Sequence, residues 1–413
     1  MIPKAEVLSV AEETGLLPTT VEKDYALGWV LFGIADHADL SRWYFKGGTC
    51  LKKCFFDTYR FSEDLDFTVP EGAPYDIDSI RATLLAVADW VRDRAGIDFP
   101  AEGIHVQESI NKRGHPTFEA RMTFVGPLQL SRAARQRIRF DLTRDEVIVD
   151  KPESREVFHG YSDAIEPVPR IQCYSLGEIL AEKVRALFER SGRARDVFDV
   201  VNVGRNLREE LTPAEIAALA TKKFRFKDLD DPSPDLILSG VDPEVLELDW
   251  GNALRHQVPV LPPVSDFLSA LGDVLRWLFG DDRTRPLLAV PVRGGEVAVP
   301  PVQFARPAAA RAAARHGAVP HVLWPAAALG SKMDRVRYAA RNRLLVEINY
   351  HGVSRMVEPY SLRVPETGNL LLYAFEVQRS GGAGGGLKAF RVAELGDVQL
   401  TDRPFQARYL VEL

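Results

Sequence analysis

Residues 44–69, YFKGGTCLKKCFFDTYRFSEDLDFTV, set what the rest of the chain must build around. An apolar-basic run, Tyr44-Phe45-Lys46, leads into Gly47-Gly48 and Thr49. A helix-like segment follows from Cys50 to Phe56, and Asp64-Leu65-Asp66 then falls in an alternating strand pattern that runs to Val69. Two residues without Cβ atoms let backbone come close to a ligand. A helix starting at Thr49 would turn free N–H groups and its positive dipole end toward an anion. Asp64 and Asp66, two apart in a strand, put both carboxylates on one face. Paired carboxylates beside a phosphate site are the hard donors that Mg²⁺ takes, and such a site suits nucleotidyl transfer. Gly-Gly pairs and Asp-x-Asp triplets are common singly, as turns or solvated edges. Their order and spacing carry the signal here.

Gly-Gly-Thr, a short helix and then Asp-x-Asp in a strand resembles the signature of the DNA-polymerase-β-like nucleotidyltransferases. Downstream, Phe118–Val125 and Arg137–Leu142 alternate as a strand pair, and Asp141 falls on the face opposite Phe140. A third carboxylate on a neighbouring strand completes this kind of metal site, as a ligand or by helping to activate the attacking hydroxyl. Arg132, Arg135, Arg137 and Arg139 form the densest basic stretch in the chain. It reads either as a contact for the phosphates of a nucleotide or RNA, or as a solvated surface loop.

Residues 175–201 read as two helices. Ser175 and Glu178 form a capping box. Leu176, Ile179, Leu180, Val184 and Leu187 make an apolar stripe that has Lys183 inside it, and Arg190 lies near the same line. A lysine centred on a buried face must snorkel or find a partner, and phosphate is an obvious one. Ser191-Gly192 ends the first helix. Arg195 and Asp196 open the second, where Asp196 and Asp199 share a face at i and i+3. A structural ion-pair knot between the helices is the other reading of these charges.

Residues 5–36 read as helices, with a second capping box at Thr19 and Glu22 after Pro18. Lys23 and Asp24 interrupt the apolar cover there, as a solvated pair or with a role near the site. A chain of 413 residues predicts two or three domains. The net charge of −6 requires any nucleic-acid contact to come from a local basic face. The three cysteines, Cys50, Cys54 and Cys173, read as reduced core thiols of a cytoplasmic protein, with no cluster in the sequence that completes a zinc site. The N-terminus has no apolar leader and no uncharged run is long enough to span a bilayer, so no membrane role is expected.

KGGT, RFSEDLDF, IRFDLT, EILAEKVRALFER and RDVFD, in this order and with VEKDY ahead of them, resemble the AbiEii/AbiGii nucleotidyltransferase toxins of bacterial abortive-infection and toxin–antitoxin systems. The resemblance covers residues 1–281, ending in a tail with Trp250 and a helix from Val264 to Phe279. It implies an α/β polymerase-β-like core with helical additions. It also implies Mg²⁺ (or Mn²⁺), a nucleoside triphosphate as substrate, an RNA acceptor such as tRNA, and a cognate antitoxin. By the same resemblance, Gly48 and Thr49 match the phosphate-binding turn, joined here by Lys46 and Gly47. Asp64 and Asp66 match the metal ligands and Asp141 the third carboxylate. Lys183 matches the family's lysine, and Asp199 ends its D-x-x-D motif, which begins at Asp196. Arg190 and Arg195 fit its basic positions.

Residues 226–263 read as loop-rich, with DLDDPSPD and VPVLPP as punctuation. A domain boundary is placed after residue 281, with a Pro-, Ala- and Arg-rich linker region over 282–330. Residues 331–413 switch to short strands with turns at 351–352 and 366–369. SGGAGGG, residues 380–386, lacks the Lys-Ser/Thr of a phosphate loop and reads as a hairpin tip. This part resembles a WYL domain, a small all-β Sm-like barrel. Asn349-Tyr350, Arg355, Glu358-Pro359, Leu362 and Phe390-Arg391 carry the likeness, with Arg355 and Arg391 as ligand candidates.

The sequence therefore predicts a metal-dependent nucleotidyltransferase toxin of a toxin–antitoxin or phage-defence system, with a C-terminal β-domain as regulator or partner-binding surface. Two other readings stay open. One is a non-catalytic nucleotide-sensing regulator that binds nucleic acid through the WYL-like domain. The other is a small-molecule nucleotidyltransferase of the antibiotic-modifying type.

Overall fold

A computed structural model describes every residue except 15, 57–59, 207–210, 281–330, 364–369, 381, 384 and 410. The expected linker at 282–330 and the expected turn at 366–369 lie outside the described residues.

The chain opens with helices α1 (Lys4–Thr14) and α2 (Pro18–Asp36). The expected capping box at Thr19 is absent. Pro18 sits in the first turn of α2 and Leu17 caps it without a side-chain bond. Proline there needs no cap for its missing N–H. Glu22 instead accepts from Leu128 N at 2.7 Å and from Gln136 Nε2 at 3.0 Å. Lys23 and Asp24 are not a solvated pair. Both are buried, Lys23 bonded to Glu63 at 2.9 Å and Asp24 to Lys53 at 2.8 Å.

Among the described residues, seven strands form one mixed sheet. In chain order they are β1 (Tyr44–Lys46), β2 (Asp64–Thr68), β3 (Ile104–Ile110), β4 (Pro116–Thr123), β5 (Arg137–Thr143), β6 (Glu153–Glu156) and β7 (Arg170–Cys173). Their spatial order is β3-β4-β5-β2-β1-β7-β6, with β2 parallel to β5 and β1 parallel to β7. Between β1 and β2 the chain makes a four-residue helix, α3 (Gly47–Cys50), and a π-helical turn, Leu51–Phe55. The helix thus starts at Gly47, two residues before the expected Thr49. Strands β2, β4 and β5 alternate, and Leu65, Phe67, Phe118, Ala120, Ile138 and Phe140 are buried on one face. Helices α2 and α4 (Ile77–Ala95) pack on that side of the sheet.

A helical layer follows: α5 (Leu176–Glu189), α6 (Ala194–Asn206), α7 (Pro213–Phe226), α8 (Pro234–Ser239), α9 (Pro243–Leu254) and α10 (Val264–Leu278). Helices α8 and α9 correct the loop-rich expectation. Pro234 and Pro243 occupy first-turn positions, and the side chains of Ser233 and Asp242 cap the two helices. Pro234, which looked like punctuation, is a helix start. At α5 the Ser175 hydroxyl caps Glu178 N at 3.1 Å, but the reciprocal half of the box is missing. Glu178 bonds to Val149 N, Asp150 N and Lys223 instead.

The C-terminal part begins with α11 (Lys332–Asn342) and continues as β8 (Leu344–Tyr350), β9 (Val353–Arg363), β10 (Leu371–Arg379), β11 (Gly382–Ala383), β12 (Leu387–Arg391) and β13 (Leu395–Pro404). These strands make an all-β unit, but not the closed barrel expected. The described pairings run β13-β8-β9-β10, with β11 and β12 both on the far edge of β10. Closure requires pairing between the two outer edges, and none is present among the described residues. Strand alternation encodes which face is buried, not whether the ends meet. Arg355 and Arg391 are both neutralised within the chain, by Glu376 and Glu394 respectively.

Helix α11 carries the β-unit onto the helical layer. It packs on β13, β8 and β9 and also touches α6. Tyr338, 2% exposed, donates its hydroxyl to Val260 O at 2.7 Å. Substituting Tyr338→Phe keeps the ring's packing and leaves the half-buried Val260 carbonyl without this donor. The expected result is a loss of about 1–2 kcal/mol in unfolding free energy, read by chemical denaturation.

Candidate active site

The site begins as a register. Across four adjacent strands, Lys46 on β1 is opposite Asp66 on β2, Asp66 is opposite Asp141 on β5, and Asp141 is opposite Glu119 on β4. Residues in register share a face of the sheet. This row lies on the face away from Leu65, Phe67 and Phe140. Asp64, two residues before Asp66, is on the same face and opposite Arg139.

Carboxylates gathered on one face disfavour one another's ionised form. Burial pushes Asp66 up to about 7, and Asp141 and Asp64 add to the rise while Lys46 opposes it. Asp141 is also raised, by burial first and then by Glu119 and Asp64, against the pull of Arg190 and Lys46. A divalent cation would relieve this repulsion, and carboxylate oxygens are the donors it prefers. The donor set of Asp64, Asp66 and Asp141 therefore fits Mg²⁺.

The glycine pair is explained by what each residue faces. Gly47 has φ +79°, and a Cβ there would stand 2.1 Å from Asp66 Oδ2. A Cβ on Gly48 would stand 2.5 Å from Arg60 Nη2. Thr49 is 1% exposed, and its hydroxyl donates to the Asp64 carbonyl at 2.5 Å. It fixes the glycine turn to β2 rather than facing the cavity.

Helices α5 and α6 bring up the opposite wall. Lys183 Nζ lies 3.1 Å from Asp196 Oδ1 and 2.6 Å from Asp199 Oδ2. Asp199, fully buried, also takes both Nε and Nη2 of Arg60 at 2.7 Å. Burial would raise Asp199, but Arg60 and then Lys183 override it and hold the carboxyl at about 2. The ion-pair knot between the helices is thus present. It does not displace the phosphate reading of Lys183, because Lys183 also lines the cavity described next. Arg195 reaches toward Asp64, Nη1 to Oδ2 at 3.8 Å.

A cavity of about 300 Å³ lies between these walls. Lys46, Gly47, Gly48, Asp66, Asp141, Lys183, Arg190 and Asp196 all line it. Thr49, Asp64, Arg195 and Asp199 do not. Thr49 and Asp199 are buried behind the wall, while Asp64 and Arg195 are more exposed.

Several residues of the site were not singled out from the sequence. Glu182 bonds Lys46 at 2.8 Å and lies 3.6 Å from Lys223, which is itself buried against Glu178 at 2.7 Å. Arg185 holds Glu146 through two bonds of 2.8 and 3.0 Å. Asn111, Arg113 and Lys227 converge on Asp145 at the cavity's other end. Arg60 sits inside the motif RFSEDLDF, and Glu182 and Arg185 inside EILAEKVRALFER, so the signal was at hand. The others are scattered, and only the fold collects them.

The family described as nucleotidyl transferase AbiEii toxin, type IV TA system, matches residues 29–276, more than half of the chain. The structure is also similar to MenT4, a nucleotidyltransferase toxin from Mycobacterium tuberculosis H37Rv. Identity is 20%, the TM-score is 0.45, and the match covers 69% of this chain and 96% of that one. No curated protein matches the chain. With the family match spanning the carboxylate row, the glycine turn and both walls of the cavity, the chain belongs to the AbiEii nucleotidyltransferase toxin family and is a nucleotidyltransferase.

Proposed function

We propose that this chain is a divalent-metal-dependent toxin that transfers a nucleoside monophosphate from a nucleoside triphosphate to the end of an RNA, with tRNA as the first acceptor to test. The observation that carries the reading is the Asp66–Asp141 register on parallel strands, with Asp64 beside it and Gly47 against Asp66. Asp64, Asp66 and Asp141 would hold Mg²⁺ or Mn²⁺, which would offset charge on the reacting phosphate. Lys183 and Arg190 bind the triphosphate from the helical wall, and Gly47 and Gly48 leave room for it along the turn. Asp196 and Asp199 orient Lys183, and Asp199 does so without touching substrate. The acceptor hydroxyl attacks the α-phosphorus, a new O–P bond forms, the α–β bridge breaks and pyrophosphate leaves. Asp141, more exposed than Asp66, would help remove the hydroxyl proton.

The polyanionic acceptor is supported by the strand face beside the carboxylates. Arg137 and Arg139 on β5 are exposed on the same face as Asp141, and Arg121 lies opposite Arg139 on β4. Within a chain of net charge −6, such a local basic row is what a nucleic-acid backbone requires. A small-molecule acceptor has no use for it. The family's toxin–antitoxin setting implies an antitoxin partner, and the C-terminal β-unit is proposed as a regulatory or partner-binding surface. Among the described residues no helix is long and apolar enough to cross a membrane.

Purified protein incubated with Mg²⁺, each labelled triphosphate and total cellular RNA should incorporate label at RNA ends. Asp66→Asn and Asp141→Asn should each lower the rate on the order of 10²–10³-fold, the loss of several kcal/mol of transition-state stabilisation. The same variants should relieve growth arrest at matched expression. Equal incorporation by Asp66→Asn sinks the proposal.

Gly47→Ala should abolish incorporation while keeping the fold, because its Cβ collides with Asp66 and its φ is unfavourable for alanine. Circular dichroism alongside the rate assay checks both halves of that expectation. Reversing Arg137 and Arg139 to glutamate should leave triphosphate binding unchanged by calorimetry. It should raise the KM for RNA at least about tenfold and flatten its salt dependence.

A further inference from the structure

The sequence offers Cys50 and Cys54 one helical turn apart and leaves Cys173 far away. The fold brings all three together. Cys50 ends α3, Cys54 lies in the π-helical turn, and Cys173 ends β7 beside Phe45 of β1. Their Sγ atoms all lie within 4.8 Å of one another, and each residue is 0% exposed. All three are free thiols. Three sulfurs thus meet from three separate elements.

We propose that Cys50, Cys54 and Cys173 form a three-thiolate site for one soft, monovalent or divalent d¹⁰ cation, with Cu(I) the best fit. The distances support this. A metal–thiolate bond of about 2.3 Å places three sulfurs in a trigonal plane about 4 Å apart. The present spacings therefore need to contract by less than about 1 Å. The donor set narrows the metal. Among the described residues no histidine or carboxylate joins the cluster. A tetrahedral structural zinc site lacks its fourth ligand, and hard cations such as Mg²⁺ prefer oxygen. Three soft sulfurs with no fourth partner suit Cu(I). On binding, the thiols release protons to solvent as sulfur–metal bonds form, and no electron is transferred. The buried guanidinium of Arg155 lies 4.1 Å over the ring of Phe55, next to Cys54, and supplies positive charge near the thiolates.

The site is separate from the carboxylate row, and its existence does not depend on the acceptor. It is mechanically close to it, however. Cys50 is three residues after Gly47, and Cys173 pairs with Phe45, the neighbour of Lys46. Contracting the thiol triangle pulls on the segment that carries the glycine turn.

The test uses the full chain. Protein is titrated anaerobically with Cu(I) held by a chromophoric chelator, both folded and refolded with the metal present, because the site is closed to solvent. One equivalent should transfer, with an ultraviolet thiolate-to-metal band. Cys50→Ser, Cys54→Ser and Cys173→Ser should each weaken retention at least tenfold. Asp66→Asn should keep the full equivalent, which separates this site from the carboxylates. The proposal is overturned if the wild-type chain takes no copper under either condition. It is equally overturned if folded serine variants, checked by melting temperature, retain copper as the wild type does. The wild-type measurement decides the matter even if a variant fails to fold.

Discussion

The contact on which the site depends is the bidentate ion pair of Arg60 with Asp199. Arg60 is 2% exposed and Asp199 is 0% exposed. Arg60 precedes β2 and Asp199 is on α6, so the pair joins the strand that carries two carboxylates to the helix pair that carries Lys183. Arg60 also donates to Gln257 Oε1 at 2.9 Å, which ties in the segment before α10. Removing one partner from such a pair leaves a buried charge uncompensated, at a cost of about 3–5 kcal/mol. Gly48 belongs to the same arrangement, since only a missing Cβ lets the guanidinium reach Asp199 past the turn. The second glycine is thus a consequence of a long-range salt bridge as well as of any ligand.

A second tier of charge lies behind the first. Lys46 faces the carboxylate row but is bonded to Glu182, and Glu182 is shared with Lys223. Glu182 is held well below the usual carboxylate range, since Lys46, Lys223 and Arg185 outweigh its burial. Positive charge is thereby kept near Asp66 without being spent on a direct pair with it. The wall can stabilise phosphate while the carboxylates stay open to a cation.

What could be read from the sequence was local or periodic. The Asp64–Asp66 spacing, the strand at 137–142 and the stripe holding Lys183 each follow from one element's geometry, and the elements appear where expected. The register of Asp66 against Asp141 follows from no single element. Neither do the Arg60–Asp199 pair or the gathering of Cys173 with Cys50 and Cys54, which join residues more than a hundred positions apart. Lys183 shows the limit most clearly. Its place on a buried face demanded a partner, and two chemistries satisfied that demand equally. The fold supplies Asp196 and Asp199 and still leaves the lysine on the cavity wall. A proline misled at Pro234, because a proline that ends one segment and one that begins a helix look alike until the preceding cap is weighed. The expected barrel failed because alternation says nothing about closure.

Position 47 has a further consequence, for how the protein tolerates change. Most sites in a folded chain degrade by degrees, since a neighbouring side chain can move aside. Here the neighbour is the carboxylate of Asp66 on β2, and the first carbon of any side chain would overlap its oxygen. Nineteen replacements therefore share one steric defect. The position holds either glycine or a misplaced Asp66, so variation along this gene meets a step at that codon where elsewhere it meets a slope.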